Sequence, residues 1–318
     1  MLRFLPLCFV AAAAIAKEPV YDFIGRIEPP ARASITIFGA VTPFSEAAVC
    51  DGSGRFRFRK LLPGAYTLAI YVSGRGEARM TVDVGPSSAG SKHRVVVTLN
   101  LKDSDFTTAD ITKQNAVTTR ELSIPARARQ EYEDSRKDLA RRDVESAISH
   151  LNKCVALAPQ FAAAWNTLGT IAYQTQKFER AAQYFRRALT EDPHSYEALV
   201  NLGGVLINLR NLDDARTYNE RAISMRPNDA LANSQLGMTY FELDNLEPAE
   251  KYLTRAVEID PAHFSHPQLM LAEIHIRKKQ FEQAAADLQN FLSHHPDWPQ
   301  GAELRATILK LRQTTGAR

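Results

Sequence analysis

The sequence contains few cysteines and no marked excess of positive or negative charge. Three cysteines in 318 residues are too few for a disulfide-rich scaffold or a cysteine-liganded zinc module. The 39 Lys and Arg nearly balance 36 Asp and Glu, so the whole chain does not have the charge of a nucleic-acid-binding protein. With 45% hydrophobic and 8% aromatic residues, the composition excludes collagen-like, wholly disordered and polytopic membrane proteins. The length predicts about two domains.

Residues 1–16 are predicted to be a signal peptide. Arg3 precedes an apolar run over residues 5–16, and Ala14-Ile15-Ala16 has the small-x-small pattern of a cleavage site. The alternative is a membrane anchor, but a spanning helix needs about 20 apolar residues and this run stops at Lys17. We therefore expect an exported protein that is periplasmic, attached to the cell envelope or secreted.

The cysteines give little further information. Lipid attachment at Cys8 is disfavoured, because Leu7 is not the small residue that usually precedes such a site. Cys50 and Cys154 fall in different predicted domains, so a disulfide between them would require a close domain contact. Two free thiols, with Cys154 buried as a small apolar residue, are the favoured alternative.

A proline recurs every 34 residues in the C-terminal two-thirds, and once more after 35: Pro125, Pro159, Pro193, Pro227, Pro261 and Pro296. Each unit has an alanine twelve residues before its proline: Ala147, Ala181, Ala215, Ala249 and Ala284. A small residue stands twenty-four before it: Ser135, Gly169, Gly203, Gly237 and Ala272. The apolar spacing predicts two short helices per unit, with the small residue of the first facing the alanine of the second. Such a pair cannot bury its own apolar face, so neighbouring units must stack.

These units resemble tetratricopeptide repeats. The second unit carries the family pattern most fully, in Trp165, Leu168, Gly169, Ala181, Phe185, Ala188 and Pro193. We divide residues 125–298 into five units: 128–161, 162–195, 196–229, 230–263 and 265–298. Residues 299–313 are predicted to form a capping helix. The resemblance implies an all-α superhelical solenoid.

Residues 20–101 have the period-two alternation of β-strands, separated by glycine and proline turns. Seven strands are predicted, near 20–27, 34–41, 46–50, 55–59, 65–72, 78–84 and 93–101. They favour an antiparallel sandwich. The Asp51-Gly52-Ser53-Gly54 turn and the Leu62-Pro63-Gly64-Ala65-Tyr66 hairpin resemble those of the carboxypeptidase regulatory-like domain, a transthyretin-like sandwich. The resemblance implies an accessory module without catalytic residues. Residues 102–124 are predicted to be a linker.

The predicted sandwich is the basic part of the chain. Residues 20–101 contain ten Lys or Arg and six Asp or Glu, a net charge of +4. Arg55, Arg57 and Arg59 share one strand face if Phe56 and Phe58 face the core. This row is either a weak contact for a polyanion or anionic lipid, or a solvated face that discourages edge pairing.

Motifs for catalysis are missing. The sequence has no Gly-rich phosphate loop, no Gly-x-Ser-x-Gly and no His-Glu-x-x-His. His263, His266 and His275, with Glu273 nearby, have plausible zinc-ligand spacing, but ordinary surface histidines are the better interpretation. We expect no enzyme activity, no cofactor, no metal and no nucleic-acid partner.

The family resemblance implies a concave groove that holds an extended peptide or a partner helix. Mapping inward-facing positions onto this sequence gives eight candidates: Asn166, Thr170, Tyr173, Asn201, Asn208, Gln235, Met238 and Phe241. Amide and soft apolar side chains of this kind can pair with a peptide backbone and grip apolar side chains. The alternative is that they only keep the inner face soluble.

Together these features predict an exported, non-enzymatic scaffold that binds a protein or peptide partner through the groove. The alternative is an accessory or regulatory subunit of a cell-envelope enzyme, glycan-processing or secretion system, contacted through the sandwich.

Overall fold

The computed structural model describes residues 19–107 and 123–316. The predicted signal peptide and most of the predicted linker lie outside these ranges. The described residues form a two-sheet β domain followed by a helical solenoid, as the sequence predicts.

The β domain packs two sheets face to face. Its strands are β1 Tyr21–Glu28, β2 Ala33–Gly39, β3 Ser45–Val49, β4 Arg55–Leu61, β5 Gly64–Val72, β6 Gly76–Val84, β7 Ala89–Gly90, β8 Arg94–Asn100 and β9 Phe106–Thr107. Sheet A has the order β4-β1-β8-β7 and sheet B the order β3-β2-β5-β6-β9. All seven predicted strands are present. Alternate residues bury one face of each strand, so that Phe23, Phe58 and Ile35 lie fully buried between the sheets.

Two details of the β domain differ from the sequence prediction. β1 and β8 pair in parallel, because the chain crosses from one sheet to the other between them, so the sandwich is not purely antiparallel. Strand β9 lies in the predicted linker and pairs with β6, extending sheet B. Its Phe106 is buried against the core, and Arg75 lies over the Phe106 ring.

Eleven helices are found in the described residues: α1 Ala126–Ala140, α2 Val144–Leu157, α3 Ala162–Gln174, α4 Phe178–Glu191, α5 Tyr196–Asn208, α6 Leu212–Met225, α7 Ala230–Glu242, α8 Leu246–Ile259, α9 Pro267–Arg277, α10 Phe281–His294 and α11 Gly301–Gly316. The first ten pair as predicted into five units, each with a first and a second helix. In α11, Leu304 and Ile308 are buried against the last pair, as a capping helix requires. None of the described helices combines the length and apolarity needed to cross a membrane.

In the second and fourth units, a glycine of the first helix lies against a large side chain of the second helix. A Cβ atom on Gly169 would lie 2.5 Å from the ring of Phe185, which is four residues beyond Ala181. The equivalent contact of Gly237 is with Leu253, at 2.7 Å. The glycine therefore admits a large side chain of the second helix, which then fills the space between the two helices.

Both described cysteines are free and buried. Cys154 packs in the core of the first two units, and burial raises its pKa to about 11. It is therefore a small apolar residue of the core, as the sequence suggests.

Candidate functional site at the concave face

The first helices of neighbouring units lie side by side and form the concave face. Four of the eight sequence candidates pair there across the second and third units. Asn201 Nδ2 donates to Asn166 Oδ1 at 3.2 Å, and Asn208 Nδ2 donates to the Tyr173 hydroxyl at 3.4 Å. Tyr173 is 37% exposed and Asn208 is exposed, so this second pair presents polar groups at the surface.

The other four candidates make contacts within the solenoid. The Thr170 hydroxyl donates to the Asn166 backbone carbonyl at 3.1 Å. Gln235 packs over Gly204 of the preceding unit, where a Cβ atom would lie only 2.5 Å from its amide nitrogen. Met238 and Phe241 are half-buried in the clusters around α7, and Arg277 lies 4.5 Å above the Phe241 ring. Of the eight, Tyr173 and Asn208 are the most exposed.

A contact that sequence reasoning missed lies at the amino rim of the concave face. We define this rim as the first turns of the first helices and the loops before them. Arg226 and Arg79 bind the same two acids: Arg226 contacts Glu77 at 3.0 Å and Glu197 at 3.4 Å, and Arg79 contacts them at 2.6 Å and 2.8 Å. Arg226 is 6% exposed and lies 4.1 Å above the Tyr196 ring. Arg79 and Glu77 belong to β6, so this network joins the sandwich to the solenoid.

The charges in this network stabilise each other. Burial raises the pKa of a carboxyl group, but Arg79 and Arg226 hold the pKa of Glu197 below its ordinary value. Burial alone would also lower the pKa of Arg79, and the carboxylates of Glu77 and Glu197 instead hold it above its usual range. Glu197 therefore stays ionised at neutral pH, and removing either arginine would leave it with only one cationic partner.

Strand β6 continues along the amino rim and meets one unit after another. The Thr81 amide donates to Asp260 Oδ2 at 2.8 Å, and Asp83 Oδ2 lies 3.1 Å from His295 Nδ1. Arg226, Asp260 and His295 are equivalent positions, each immediately before the repeat proline. Residues at outward-facing positions of β6 therefore contact the same repeat position in three successive units.

The sandwich also contacts the carboxyl rim, which we define as the ends of the first helices and the turns after them. Gln174 Nε2 donates to the Gly39 carbonyl at 2.9 Å, and Arg142 Nη2 donates to the Lys60 carbonyl at 3.1 Å. Arg142 also lies 4.8 Å above the Phe44 ring. The sandwich therefore contacts the amino rim at the third to fifth units and the carboxyl rim at the first and second units.

The three histidines considered as zinc ligands have separate partners, and His263 is buried, although the sequence favours a surface histidine there. His266 stacks edge-on to His295, with ring centres 4.6 Å apart, and His263 bonds Ser265. His275 instead pairs with Asp287 at 2.6 Å and with Glu250 at 3.3 Å. No group of three His, Cys, Asp or Glu among the described residues could hold a metal ion.

Burial lowers the pKa of both His263 and His266 to about 4, and His295 adds to the effect. Both are therefore neutral at physiological pH, beside the domain contact. A cavity of about 40 Å³ between β6 and the loops at Asp229 and Asp260 has room for water but not for a peptide.

Comparisons with known proteins agree with this architecture. Four tetratricopeptide repeat family models match residues 126–196, 172–234, 230–263 and 268–297, which together make up more than half of the chain. No curated protein is similar enough in sequence to count as a match.

Solved structures share the fold of the solenoid. The pilF protein of Pseudomonas aeruginosa is 18% identical, with a TM-score of 0.52 over 63% of this chain and 87% of that one. MamA from Desulfovibrio magneticus RS-1 is 21% identical, with a TM-score of 0.50 over 56% and 99%. PilW, described as a type IV pilus biogenesis factor, is 17% identical, with a TM-score of 0.50 over 61% and 94%. At these identities the likeness shows the fold alone. The chain is therefore a tetratricopeptide-repeat protein, whose solenoid follows an N-terminal two-sheet β domain.

Proposed function

We propose that this protein is an exported, non-enzymatic scaffold that binds an extended peptide or protein segment on the concave face of its solenoid. The observation that supports the proposal is the exposed Tyr173–Asn208 pair, which joins the carboxyl ends of two neighbouring first helices. A phenol and an amide can exchange hydrogen bonds with a peptide backbone, while the half-buried Phe241 and Met238 offer apolar contact. Export rests on the signal-peptide pattern of residues 1–16.

The docked sandwich limits what can reach this face. Because it contacts both rims, a partner has to approach from the part of the face that the sandwich leaves open. Tyr173 is next to Gln174, whose side chain bonds Gly39 of the sandwich. We infer that the bound segment lies beside the sandwich and contacts residues from both domains.

We also propose that the β domain is a carboxypeptidase regulatory-like module. What supports this is the two-sheet arrangement, with the Asp51–Gly54 turn and the Pro63-Gly64 hairpin placed between strands. Such a module is an accessory without catalytic residues. It fits the rival function, in which an envelope enzyme or a glycan-processing or secretion system contacts the protein through the sandwich.

Photo-crosslinking in the cell envelope separates the two functions. A photoreactive amino acid replaces Tyr173 or Phe241 on the concave face, Tyr71 on the sandwich, and Leu157 or Leu309 as exposed controls elsewhere on the solenoid. The proposal predicts one specific adduct from the two groove positions and none from the two controls. An adduct from Tyr71 alone would refute the groove and support the rival.

A second experiment tests the same partner in solution. Once the adduct is identified, its binding to Tyr173→Ala and Asn208→Ala variants is measured against Tyr184→Ala, which alters a tyrosine of the second helix. We expect each groove variant to weaken binding about tenfold, the loss of roughly 1.4 kcal/mol. Equal affinity of all three variants would contradict the proposed site.

A further inference from the structure

The two outward faces of the sandwich carry very different charges. On sheet B, the outward residues Glu77, Arg79 and Asp83 are engaged with the solenoid. On sheet A, the outward positions of β1, β4 and β8 hold five arginines against two acidic residues, a net charge of +3: Arg26, Arg55, Arg57, Arg59 and Arg94, with Asp22 and Glu28. Most of the net charge of the β domain is therefore on the face that does not dock.

The strand register arranges these arginines around an apolar centre. Arg26 is opposite Arg55, and Ile24 is opposite both Arg57 and Val96. Val96 is 69% exposed, which is high for an apolar side chain in the middle of a sheet. The sequence alone predicted a row of three arginines on one strand, and the register adds two more from the neighbouring strands.

The acids neutralise only part of this face. Arg57 forms an ion pair with Asp22, and its hydrogen bond holds the pKa of that carboxyl below its usual value. Arg26 contacts Glu28 at 3.5 Å. Among the described residues, no carboxylate is within ion-pair distance of Arg55, Arg59 or Arg94, and all three are exposed.

This chemistry fits phosphate groups presented on a surface. A guanidinium binds phosphate with two parallel hydrogen bonds, and a pleated sheet holds successive outward side chains about 7 Å apart in a plane. The outward positions include no aromatic side chain, so the face lacks the stacking platform that single-stranded nucleic acids use. An exposed apolar centre inside a basic rim is instead typical of proteins that lie on a bilayer.

We propose that the outer face of sheet A docks on an anionic phospholipid surface. The arginines contact headgroup phosphates, and Val96 faces the boundary of the acyl chains. Because sheet B holds the solenoid on the opposite side, docking would place the sandwich between the bilayer and the solenoid. The proposal goes beyond the scaffold function and does not depend on the groove.

Vesicle flotation of the purified protein tests this. The protein is mixed with phosphatidylcholine vesicles that contain or lack phosphatidylglycerol, at low and at high salt. We expect it to float only with the anionic vesicles at low salt, because screening weakens exposed charge contacts. Replacing Arg55, Arg59 and Arg94 together by Gln should weaken the partition coefficient roughly a hundredfold, since each basic side chain near such a surface contributes about fivefold.

A matched variant controls for net charge. Arg180, Arg186 and Arg305 are exposed arginines of the solenoid, and replacing all three by Gln removes the same charge from another surface. That variant should float like the parent, and V96S should lose only a few-fold. The proposal is overturned if the parent floats equally with both vesicle types, or if the two triple variants lose the same amount. It is also overturned if single-stranded DNA binds the face while anionic vesicles do not.

Discussion

The contacts between repeats and the contacts between domains are built from different residues. Neighbouring helices of the solenoid meet through alanine, glycine and leucine, such as Ala181, Gly169 and Leu253, all fully or nearly fully buried. The sandwich meets the solenoid through ionised and polar groups, chiefly Arg226, Arg79 and Asp260. Only the first kind of contact relies mainly on apolar area.

The two kinds of contact contribute differently to the stability of the protein. The free energy gained by stacking apolar surfaces increases with the area buried, and it supplies most of the stability of a repeat array. A partly buried ion network adds little net stability, because desolvation offsets the attraction, but an unpaired member is costly. We infer that the ion network determines the position of β6 along the amino rim, while the apolar contacts stabilise the units themselves.

The largest expected effect comes from breaking a contact within a unit. In Gly203→Leu, the new side chain starts where a Cβ atom already lies 1.9 Å from Asn219 Oδ1, so α5 and α6 must separate. We expect a loss of about 3 kcal/mol in the free energy of unfolding, measured by urea denaturation.

The control for that experiment is Gly52→Leu, in a turn where a Cβ atom meets nothing within 4 Å. It should change stability by no more than about 0.5 kcal/mol. An unchanged melting temperature in Gly203→Leu would show that the assigned register of the third unit is wrong.

Removing Arg226 breaks the domain contact instead. Arg226→Ala leaves Glu77 and Glu197 with one arginine between them, and since both acids are partly exposed we expect a cost of about 2 kcal/mol. Hydrogen exchange at the Thr81 amide, which bonds Asp260, should accelerate as the sandwich detaches.

Arg255→Ala is the matched control, because Arg255 is an exposed arginine of the same solenoid. Arg226→Lys should recover part of the protection, since it keeps the charge but not the fork geometry. Identical exchange at Thr81 in Arg226→Ala and Arg255→Ala would contradict the docking described here.

Acidification tests the same contact through its histidines. His263 and His266 have a pKa of about 4 when folded, lowered by burial, against about 6.5 when unfolded. The unfolded chain therefore binds more protons below pH 7, and stability falls as the pH drops towards 4. We expect a loss of about 2 kcal/mol per histidine between pH 7 and pH 5, measured by chemical denaturation.

The ionisable groups that act on these two histidines are Asp83, Asp229 and His295. Asp260 precedes both histidines in the same loop. Burial raises the pKa of Asp260, so its protonation at low pH favours the folded state, whereas protonation of the histidines disfavours it. The measurements therefore stay above pH 5. His266 has left-handed backbone angles that asparagine tolerates, and H266N should remove about half of the pH dependence. A pH slope in H266N that equals that of H194N, an exposed control, would exclude this cause.

The smallest effect concerns Asn219, a polar residue inside a pair contact. Asn219 is fully buried at the position that Leu253 takes one unit later, and its Oδ1 has no partner. Asn219→Leu should raise stability by about 1 kcal/mol, because Thr239 keeps its bond to the Gln235 carbonyl. A decrease in the urea midpoint would mean that the Asn219–Thr239 bond outweighs the orphaned oxygen.

Sequence patterns were sufficient for the elements and for the repeats, because both are recorded locally. Period-two alternation identified every long strand, and the proline spacing identified every helix pair. The residue nearest the glycine of the first helix is Phe185, Asn219 or Leu253 in successive units, so no repeated residue type marks it in the sequence. The parallel pairing of β1 and β8 also left no local signal, because it depends on how the chain crosses between sheets.

For the candidate site, the sequence identified positions but not their surroundings. Asn166 and Asn201 were predicted as groove candidates, and the structure adds that they bond each other across two units. The sequence by itself determined the two folds, since hydrophobic periodicity and turn residues act over a few neighbours in the chain. Only the tertiary structure decided that β6 docks along the rim and which face of the sandwich remains basic and exposed. Glu77 and Arg226 are 149 residues apart, and their attraction exists only when both domains are folded and in contact.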